Sequence, residues 1–314
     1  MRTTRGIVIL VSLLTLVGLL TTPAAAAPGS AGPRWVGSWA MAVQKPIDGI
    51  FEPNWAVAGF ANQTVRQVAR ISVGGSVLRI HLSNVYGSAP LRVAGATVAK
   101  AGDGASIRPG TLRPVTAGHR LSFTVPAGRE LVSDPVLLST AALDRVAVTL
   151  YFAEPTGPVT NHALASATSY RAAGDRRFAR DGSVFTETTH SYYYLSEVDV
   201  TGFASRGTVV AFGDSITDGA FSTNDTNNRY PDELAERLVA ARIPFGVSNA
   251  GIGGNRVLDD SDCFGEAPAT RFARDVLDTP GVRSVIVLEA TNDLISVAQT
   301  EPGPCGPGHP DLTV

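Results

Sequence analysis

Short runs in which apolar and polar residues alternate occupy the first two thirds of the chain. Residues 69–73 and 78–82 alternate in this way on either side of Gly74-Gly75, which predicts two strands joined as a β-hairpin. Similar runs recur further along, at Leu91–Val98, Leu121–Val125, Val146–Phe152 and Tyr192–Val200. Many short strands at this spacing predict that residues 33–200 form an all-β sandwich of jelly-roll type.

From Gly207 the pattern changes to continuous apolar runs separated by stretches with helical spacing. Three of these runs predict strands buried on both faces: Thr208–Phe212, Phe245–Val247 and Ser284–Leu288. Residues 231–241 and 269–277 between them are predicted to be helical. The order β-α-β-α-β predicts a parallel α/β sheet, and polar residues follow each strand where such sheets bind ligands.

The N-terminus has the layout of a secretory signal peptide. A basic start that ends at Arg5 precedes an apolar run from Gly6 to Leu20, and small residues follow at Ala24–Ala27. The apolar run is shorter than the roughly 20 residues of a full membrane span. Residues 1–27 are therefore predicted to be cleaved, leaving a secreted protein with no stable membrane anchor; an uncleaved anchor is the alternative.

Charge and histidine spacing exclude several classes of function. The chain has 26 Lys and Arg against 28 Asp and Glu, a net charge of −2, which argues against a nucleic-acid partner. The first four histidines show no metal-ligand spacing: His81, His119, His162 and His190. We therefore expect no metal and no cofactor, and the polar side of its strand predicts a solvated His81.

The two cysteines, Cys263 and Cys305, are too few for a disulfide scaffold or a four-cysteine zinc site. In an exported protein a lone pair is predicted to form a disulfide. Such a bond would contribute about 4 kcal/mol in the chain-entropy model. Two unpaired thiols are the alternative.

Three polar blocks follow the three apolar runs: Gly213-Asp214-Ser215, Asn249–Asn255 and Asn292-Asp293. A dinucleotide-binding loop is excluded for the second block, because Arg256 stands where the third glycine is needed. In this order and spacing, residues 207–314 resemble the SGNH (GDSL) hydrolases. The resemblance implies a partial flavodoxin-like three-layer parallel sheet, and residues 33–200 resemble the β-rich region of some secreted bacterial members.

The resemblance implies a role for one residue of each block. Ser215 would be the acylated nucleophile, and the Gly254 backbone N–H and the Asn292 side chain would stabilise the oxyanion, with the Ser215 N–H as third donor. Four further polar residues are interpreted as fixing these loops: Asp214, Asp218, Asn249 and Asn255.

Two features depart from the family pattern. Ala290 stands where the family usually has glycine, and a positive φ there would strain the loop by about 1 kcal/mol. The family's base is a histidine in a late D-x-x-H block, whereas His309 lacks that aspartate and is interpreted as a loop residue. The chain is therefore expected to be the truncated N-terminal half of the hydrolase domain, and to be inactive or very weak as it stands.

These observations predict a secreted serine esterase that acts on carboxylic esters without a cofactor. The substrate would be a small molecule, a polysaccharide with short acyl groups, or a lipid. The alternative is a non-catalytic secreted carbohydrate-binding protein with a degenerate hydrolase scaffold. Aromatic residues that would then stack on sugars are Trp35, Trp39, Trp55 and Tyr192–Tyr194, although core packing is the favoured interpretation for them.

Overall fold

The computed structural model describes residues 34–49, 52–202, 205–297 and 305. The predicted signal peptide and His309 lie outside these residues. The β-rich and α/β regions belong to one compact unit. A search of the described helices found none with the length and apolar character needed to cross a membrane.

The described residues form mostly short strands, with helices confined to the last third of the chain. The strands are β1 (Val36–Ala40), β2 (Gln63–Arg70), β3 (Gly75–Ser83), β4 (Leu91–Val93), β5 (Gly95–Lys100), β6 (Arg113–Val115), β7 (Phe123–Val125), β8 (Glu130–Val132), β9 (Val136–Thr140), β10 (Arg145–Phe152), β11 (Asn161–His162), β12 (Ser169–Ala173), β13 (Glu187–Thr189), β14 (Tyr192–Tyr193), β15 (Leu195–Thr201), β16 (Gly207–Gly213), β17 (Phe245–Gly251) and β18 (Val282–Leu288). The α-helices are α1 (Ser215–Asp218), α2 (Tyr230–Ala240), α3 (Pro268–Phe272) and α4 (Thr291–Ser296). Short 3-10 and π-helical turns cover Gly182–Val184 and Ala273–Leu277.

Two antiparallel sheets make up most of the β-rich region. The first has the order β1-β15-β3-β8, with β9 also paired to β3, and the second has the order β13-β12-β2-β10-β5-β6. Strands of both sheets contribute fully buried side chains to one hydrophobic core, among them Val65, Leu78, Ile80, Val148 and Val198. The alternating pattern therefore marks these strands correctly, because every second side chain enters this shared core.

The β-hairpin predicted around Gly74-Gly75 is wrong. β2 lies in the second sheet, where it pairs with β10 and β12, whereas β3 lies in the first sheet. The chain crosses from one sheet to the other between Arg70 and Gly75. A Cβ on Gly74 would lie 2.3 Å from the carbonyl oxygen of Thr140, so a close backbone approach requires glycine there.

Aromatic side chains fill the sandwich core, as the sequence favours. Trp39, Trp55 and Tyr192–Tyr194 are each no more than 8% exposed. The rings of Trp55 and Tyr193 stack with centroids 5.4 Å apart. These rings are buried by protein and are not presented to a ligand at the surface.

The α/β region is built on a parallel three-stranded sheet with the order β17-β16-β18. Gly213 at the end of β16 pairs with Gly251 of β17 and Leu288 of β18, so the carboxyl ends of all three strands meet at one level. The central strand is buried as predicted. The prediction that β18 is buried is wrong: it is an edge strand with Val287 61% exposed, because it pairs only with β16 among the described strands.

The β-rich region packs directly on the parallel sheet through β1. The Gly37 N–H donates to the carbonyl oxygen of Pro280 at 2.9 Å, and the Thr208 hydroxyl donates to the Gly37 carbonyl oxygen at 3.2 Å. A Cβ on Gly246 would lie 2.0 Å from that same carbonyl oxygen. These close backbone contacts lie at the amino ends of β16, β17 and β18, at the edge of the sheet opposite to the polar blocks.

His81 is not solvated, which corrects the sequence-based expectation. Its side chain is 12% exposed, and its Nε2 lies 2.7 Å from Asp199 Oδ2. Together with Asn249 and Asp275 of the α/β region, His81 borders a small cavity. The strand pattern correctly places His81 on the polar side of β3, but tertiary packing covers that side.

Candidate active site

Ser215 lies on the turn between the central strand β16 and the one-turn helix α1. The Asp214 carboxylate caps this helix by accepting a hydrogen bond from the Ile216 N–H at 3.0 Å. Gly213 before it has no room for a side chain, because a Cβ would lie 2.3 Å from the carbonyl oxygen of Leu288. The tight turn leaves Ser215 at the carboxyl-end edge of the sheet.

A cavity of about 580 Å³ opens at this edge, and Ser215, Gly254 and Asn292 all line it. The three predicted site residues come from three different strand ends and are brought together at one cavity. The remaining wall mixes apolar and polar side chains: Glu52, Leu164, Ser166, Ala220, Phe221, Ser222, Asn224 and Phe264. Glu52, Leu164 and Ser166 belong to the β-rich region, so both regions form the wall.

Gly254 adopts a backbone conformation that glycine alone satisfies without strain. Its φ is +79°, and a Cβ would lie 2.3 Å from a ring carbon of Phe264. The neighbouring Gly253 N–H donates to Asp218 Oδ2 at 2.8 Å. Asn249 donates from Nδ2 to the carbonyl oxygen of Thr217 at 2.9 Å. These contacts agree with the interpretation of Asp218 and Asn249 as residues that fix the glycine loop.

A buried arginine that the sequence analysis missed joins the three strand ends. Arg271 donates to the carbonyl oxygens of Ala250 at 2.7 Å and Gly213 at 3.0 Å, and to Glu289 Oε1 at 3.0 Å. It also donates to Asn255 Oδ1 at 2.8 Å. The sequence does contain a signal for this role, because Arg271 is a charged residue on the inward face of the predicted helix 269–277. A charge that is buried there needs several hydrogen-bond partners.

Glu289, which follows β18, carries a perturbed carboxyl group. Burial raises the pKa of Glu289 to about 7, and the charge of Asp214 adds to the increase, while Arg271 opposes it. A carboxyl group with this pKa exchanges its proton near neutral pH beside Arg271, which joins the three strand ends.

The side-chain amide of Asn292, in the asparagine block, uses one N–H group for a hydrogen bond within the protein. Asn292 Nδ2 donates to the carbonyl oxygen of Asn255 at 2.9 Å, and a carboxamide carries a second N–H that remains for a ligand. Asp293 accepts hydrogen bonds from the backbone of Val257 and Leu258 at 2.9 and 3.0 Å. Ala290 has a φ of +81°, which is the positive value that was expected to strain an alanine at this position.

His162 is a second residue of this site that the sequence analysis did not single out. It is 1% exposed, with Nδ1 2.6 Å from the carbonyl oxygen of Ala42 and Nε2 3.0 Å from Asp218 Oδ1. Burial by itself would lower the pKa of His162, but the charge of Asp218 and these hydrogen bonds outweigh it and raise the pKa. A charged imidazolium donates from both nitrogens and thereby ties the β-rich region to the loop beside Ser215.

His190 lies near the rim of the cavity. Its Nδ1 is 2.6 Å from Glu52 Oε2 and 3.0 Å from Asn224 Nδ2, and both partners line the cavity. Among the residues that the structure describes, no histidine forms a hydrogen bond with the Ser215 hydroxyl.

The predicted disulfide between Cys263 and Cys305 is confirmed, with the two Cα atoms 5.2 Å apart. Cys263 directly precedes Phe264, which lines the cavity. The Ser261 hydroxyl donates to the carbonyl oxygen of Cys305 at 2.7 Å. The bond therefore holds the loop that carries one wall of the site.

A serine after the central parallel strand, a glycine backbone N–H and a carboxamide at one cavity have the form of a serine-hydrolase site on an α/β sheet. Residues 211–305 match the model of the GDSL-like lipase/acylhydrolase family. This match supports the resemblance to the SGNH/GDSL hydrolases that the three blocks predict.

Two solved structures show similarity to the chain. An SGNH-hydrolase family esterase, AlinE4, is 27% identical over 30% of this chain and 45% of its own length, with a TM-score of 0.25. This chain thus spans less than half the length of that relative. A family two carbohydrate esterase from Clostridium thermocellum, an active-site mutant, is 13% identical over 75% of this chain and 61% of its own, with a TM-score of 0.22. A search of curated proteins returned no match.

Proposed function

We propose that this chain carries a serine-esterase site in which Ser215 attacks the carbonyl carbon of a carboxylic ester, and that it is inactive or very weak as it stands, because no histidine of the described residues forms a hydrogen bond with the Ser215 hydroxyl. The Ser215 proton passes to the oxygen of the departing alcohol, an acyl group remains on the Ser215 oxygen, and water then releases the acid and returns a proton to Ser215. The Gly254 N–H and the Asn292 amide stabilise the oxyanion, assisted by the Ser215 N–H. The observation that carries this proposal is the cavity that Ser215, Gly254 and Asn292 line together.

The substrate we propose is an ester of short acyl groups, with a polar alcohol part such as a carbohydrate. Phe221 and Phe264 supply apolar surface to the cavity, whereas Ser166, Ser222 and Asn224 supply hydroxyl and amide groups. A mixed wall of this kind suits a small acyl group joined to a hydroxylated alcohol. A lipid ester is the other substrate class for the same chemistry, and initial rates on acetyl, butyryl and octanoyl esters separate the two.

We further propose that residues 33–200 act as a β-sandwich domain, that residues 207–314 act as the hydrolase part, and that the protein is secreted. The signal-peptide layout of residues 1–27 supports export, and the disulfide agrees with an oxidising compartment. The carbohydrate-binding alternative has less support, because Trp39, Trp55 and Tyr192–Tyr194 are buried. Sequencing the N-terminus of the exported protein is expected to give a start near Pro28.

The nucleophile is tested by covalent labelling of the full chain with a fluorophosphonate, followed by peptide mass spectrometry. The reagent reports the reactivity of the serine without requiring rapid turnover. The label is expected on Ser215 and is expected to be lost in Ser215→Ala. Ser222→Ala, which changes another hydroxyl of the same cavity, is the matched control and is expected to be labelled like the unmodified chain. Equal labelling of Ser215→Ala would contradict the proposal.

A further inference from the structure

Three groups that commonly bind metals meet on the face of the first sheet that packs against the α/β region, and none of them lines the cavity at Ser215. His81 of β3 pairs in register with Glu197 of β15, and Asp199 lies two residues further along the same strand. One nitrogen or oxygen atom of each side chain lies within 4.8 Å of one atom of each of the others. Strand pairing brings them together across more than one hundred residues of chain, which is why their spacing shows no metal motif.

The hydrogen bonds of His81 define which ring nitrogen is free. Nε2 lies 2.7 Å from Asp199 Oδ2, which also accepts from Arg79 Nε at 2.7 Å. Nδ1 faces Glu197, so the tautomer with its proton on Nε2 donates to Asp199 and directs the Nδ1 lone pair toward Glu197. Metal-binding histidines are regularly held in this way, with the second ring N–H donated to a carboxylate.

The distance between His81 Nδ1 and Glu197 Oε2 is 3.6 Å. This distance is longer than the roughly 2.7–3.2 Å of an ordinary hydrogen bond. Two zinc bonds of about 2.1 Å at a tetrahedral angle separate their ligand atoms by about 3.4 Å. The gap between these two atoms therefore matches a shared metal ion better than a shared proton.

Two further carboxylate oxygens of the cluster lack a neutralising contact. Glu197 Oε1 and Asp199 Oδ1 are buried and have no hydrogen-bond partner among the described residues, and Asp199 is 0% exposed. Arg79 already contacts the other oxygen of Asp199 at 2.7 Å, so a further cation beside the Glu197 carboxylate would neutralise the remaining buried charge.

A cavity of about 40 Å³ adjoins the cluster and is bordered by His81, Glu197, Glu130 and Asn249. One ordered water needs roughly 10–15 Å³, so the space admits water molecules that complete a coordination shell. A site with one imidazole and carboxylates suits zinc and its transition-metal neighbours, whereas calcium and magnesium prefer oxygen ligands alone.

We propose that His81, Glu197 and Asp199 form a binding site for a divalent transition-metal ion, best matched by Zn²⁺. His81 Nδ1 and the Glu197 carboxylate are ligands, Asp199 orients the imidazole, and water from the adjoining cavity fills the remaining positions. The site lies where the first sheet packs against the α/β region, so the bound ion stabilises this contact. Its role is structural and independent of the chemistry at Ser215.

The test uses the untagged full chain, freed of metal with a chelator, and titrates ZnCl2 at pH 7.5 by calorimetry. One ion is expected to bind per chain and to raise the melting temperature. His81→Gln and Glu197→Gln are expected to weaken zinc binding at least 100-fold, and Asp199→Asn about 10- to 100-fold. His119→Gln is the matched control, because His119 lies in the same region with a side chain 95% exposed, and it is expected to bind zinc like the unmodified chain.

Cobalt absorption provides a second measurement that does not depend on stability. Co²⁺ is expected to give the intense visible bands of a four-coordinate site, and these bands are expected to disappear in His81→Gln. The alternative is a cluster held together by hydrogen bonds alone, with no metal. Absence of one-to-one zinc binding, or cobalt bands that persist in His81→Gln, would overturn the proposal.

Discussion

Ala290 is a single residue at which the oxyanion loop departs from favourable backbone geometry. Its φ of +81° and ψ of −5° lie in the left-handed region, two residues before Asn292. An L-residue with a Cβ is less stable there than glycine by about 1–2 kcal/mol. The alanine therefore makes the loop that carries the amide donor less stable than a glycine would.

Ala290→Gly is expected to raise the free energy of unfolding by roughly 0.5–1 kcal/mol. The relief of left-handed strain exceeds the entropy that glycine adds to the unfolded chain, about 0.4–1 kcal/mol. Urea denaturation measures the change. Ala240→Gly, at the exposed end of α2, is the control and is expected to lower stability by up to about 1 kcal/mol. Equal losses in the two variants would show that Ala290 is not strained.

Asn292→Ala is expected to slow the acylation of Ser215 by an activated ester, and its phosphonylation by a fluorophosphonate, about 10²- to 10³-fold. The variant removes a donor aimed at the developing oxyanion, and such donors affect the transition state more than the bound substrate. The labelling rate at saturating reagent measures this effect. Asn228→Ala, on an exposed loop, is expected to leave the rate unchanged. A rate in Asn292→Ala equal to that of the control would remove Asn292 from the proposed mechanism.

The carboxyl ends of β16, β17 and β18 form an element whose stability depends on buried polar groups. Arg271 contacts the end of each strand, and its guanidinium also lies 4.1 Å from the centroid of the Phe212 ring. Glu289 is the acidic partner of Arg271 at the end of β18. Protonation of Glu289 therefore weakens its ion pair with Arg271 at the end of the edge strand.

Glu289 is expected to make the protein lose stability as pH rises from about 4.5 to about 7. Its pKa is 4.5 in the ordinary state and about 7 when folded, so the folded protein holds the proton more tightly than the unfolded chain. This contribution is full below the lower value, is lost across the interval, and is absent above it. Urea denaturation at several pH values measures it.

Glu289→Gln is expected to remove that part of the pH dependence, so the difference in unfolding free energy between the unmodified chain and the variant changes between pH 5 and 7.5. Glu233→Gln, on the exposed side of α2, is the control for removal of a carboxylate. A difference that stays constant with pH would contradict the assigned perturbation.

On the scale of the whole molecule, the β-rich region is part of the scaffold of the candidate site. His162 of β11 reaches Asp218, whose other oxygen accepts from the Gly253 N–H of the glycine loop. Both side chains of this ion pair are essentially fully buried. The loop beside Gly254 is thus supported from a region more than fifty residues earlier in the chain.

His162→Asn is expected to lower the free energy of unfolding by about 3–5 kcal/mol, because it leaves Asp218 buried without its charged partner. The double variant His162→Asn/Asp218→Asn is expected to lose less unfolding free energy than the two single variants lose together, by about 0.5–3 kcal/mol. Urea denaturation of all four proteins measures the coupling. His190→Asn is the control, since the His190–Glu52 pair is partly exposed and is expected to contribute at most about 1 kcal/mol. Additive losses for His162 and Asp218 would show that they do not act as a pair.

Local pattern and motif chemistry determined much of this protein from the sequence by itself. The central strand β16, the helix α2, the disulfide and the family were predicted correctly, because each depends on a short segment or on a pair of residue types. The same holds for the positions of Ser215, Gly254 and Asn292 after successive strands of a parallel sheet, whose carboxyl ends meet at one edge.

Only the tertiary structure decided which distant residues meet. The runs on either side of Gly74-Gly75 alternate as a hairpin does, yet they enter different sheets, because alternation reports which face is buried and not which strand is the neighbour. In the same way, His81 and His162 are buried where the β-rich region meets the α/β region, and Arg271 is buried among the three strand ends that it contacts. A sequence pattern describes the neighbours of a residue along its own strand or helix. The residues that bury these three side chains lie tens to more than one hundred residues away in the sequence.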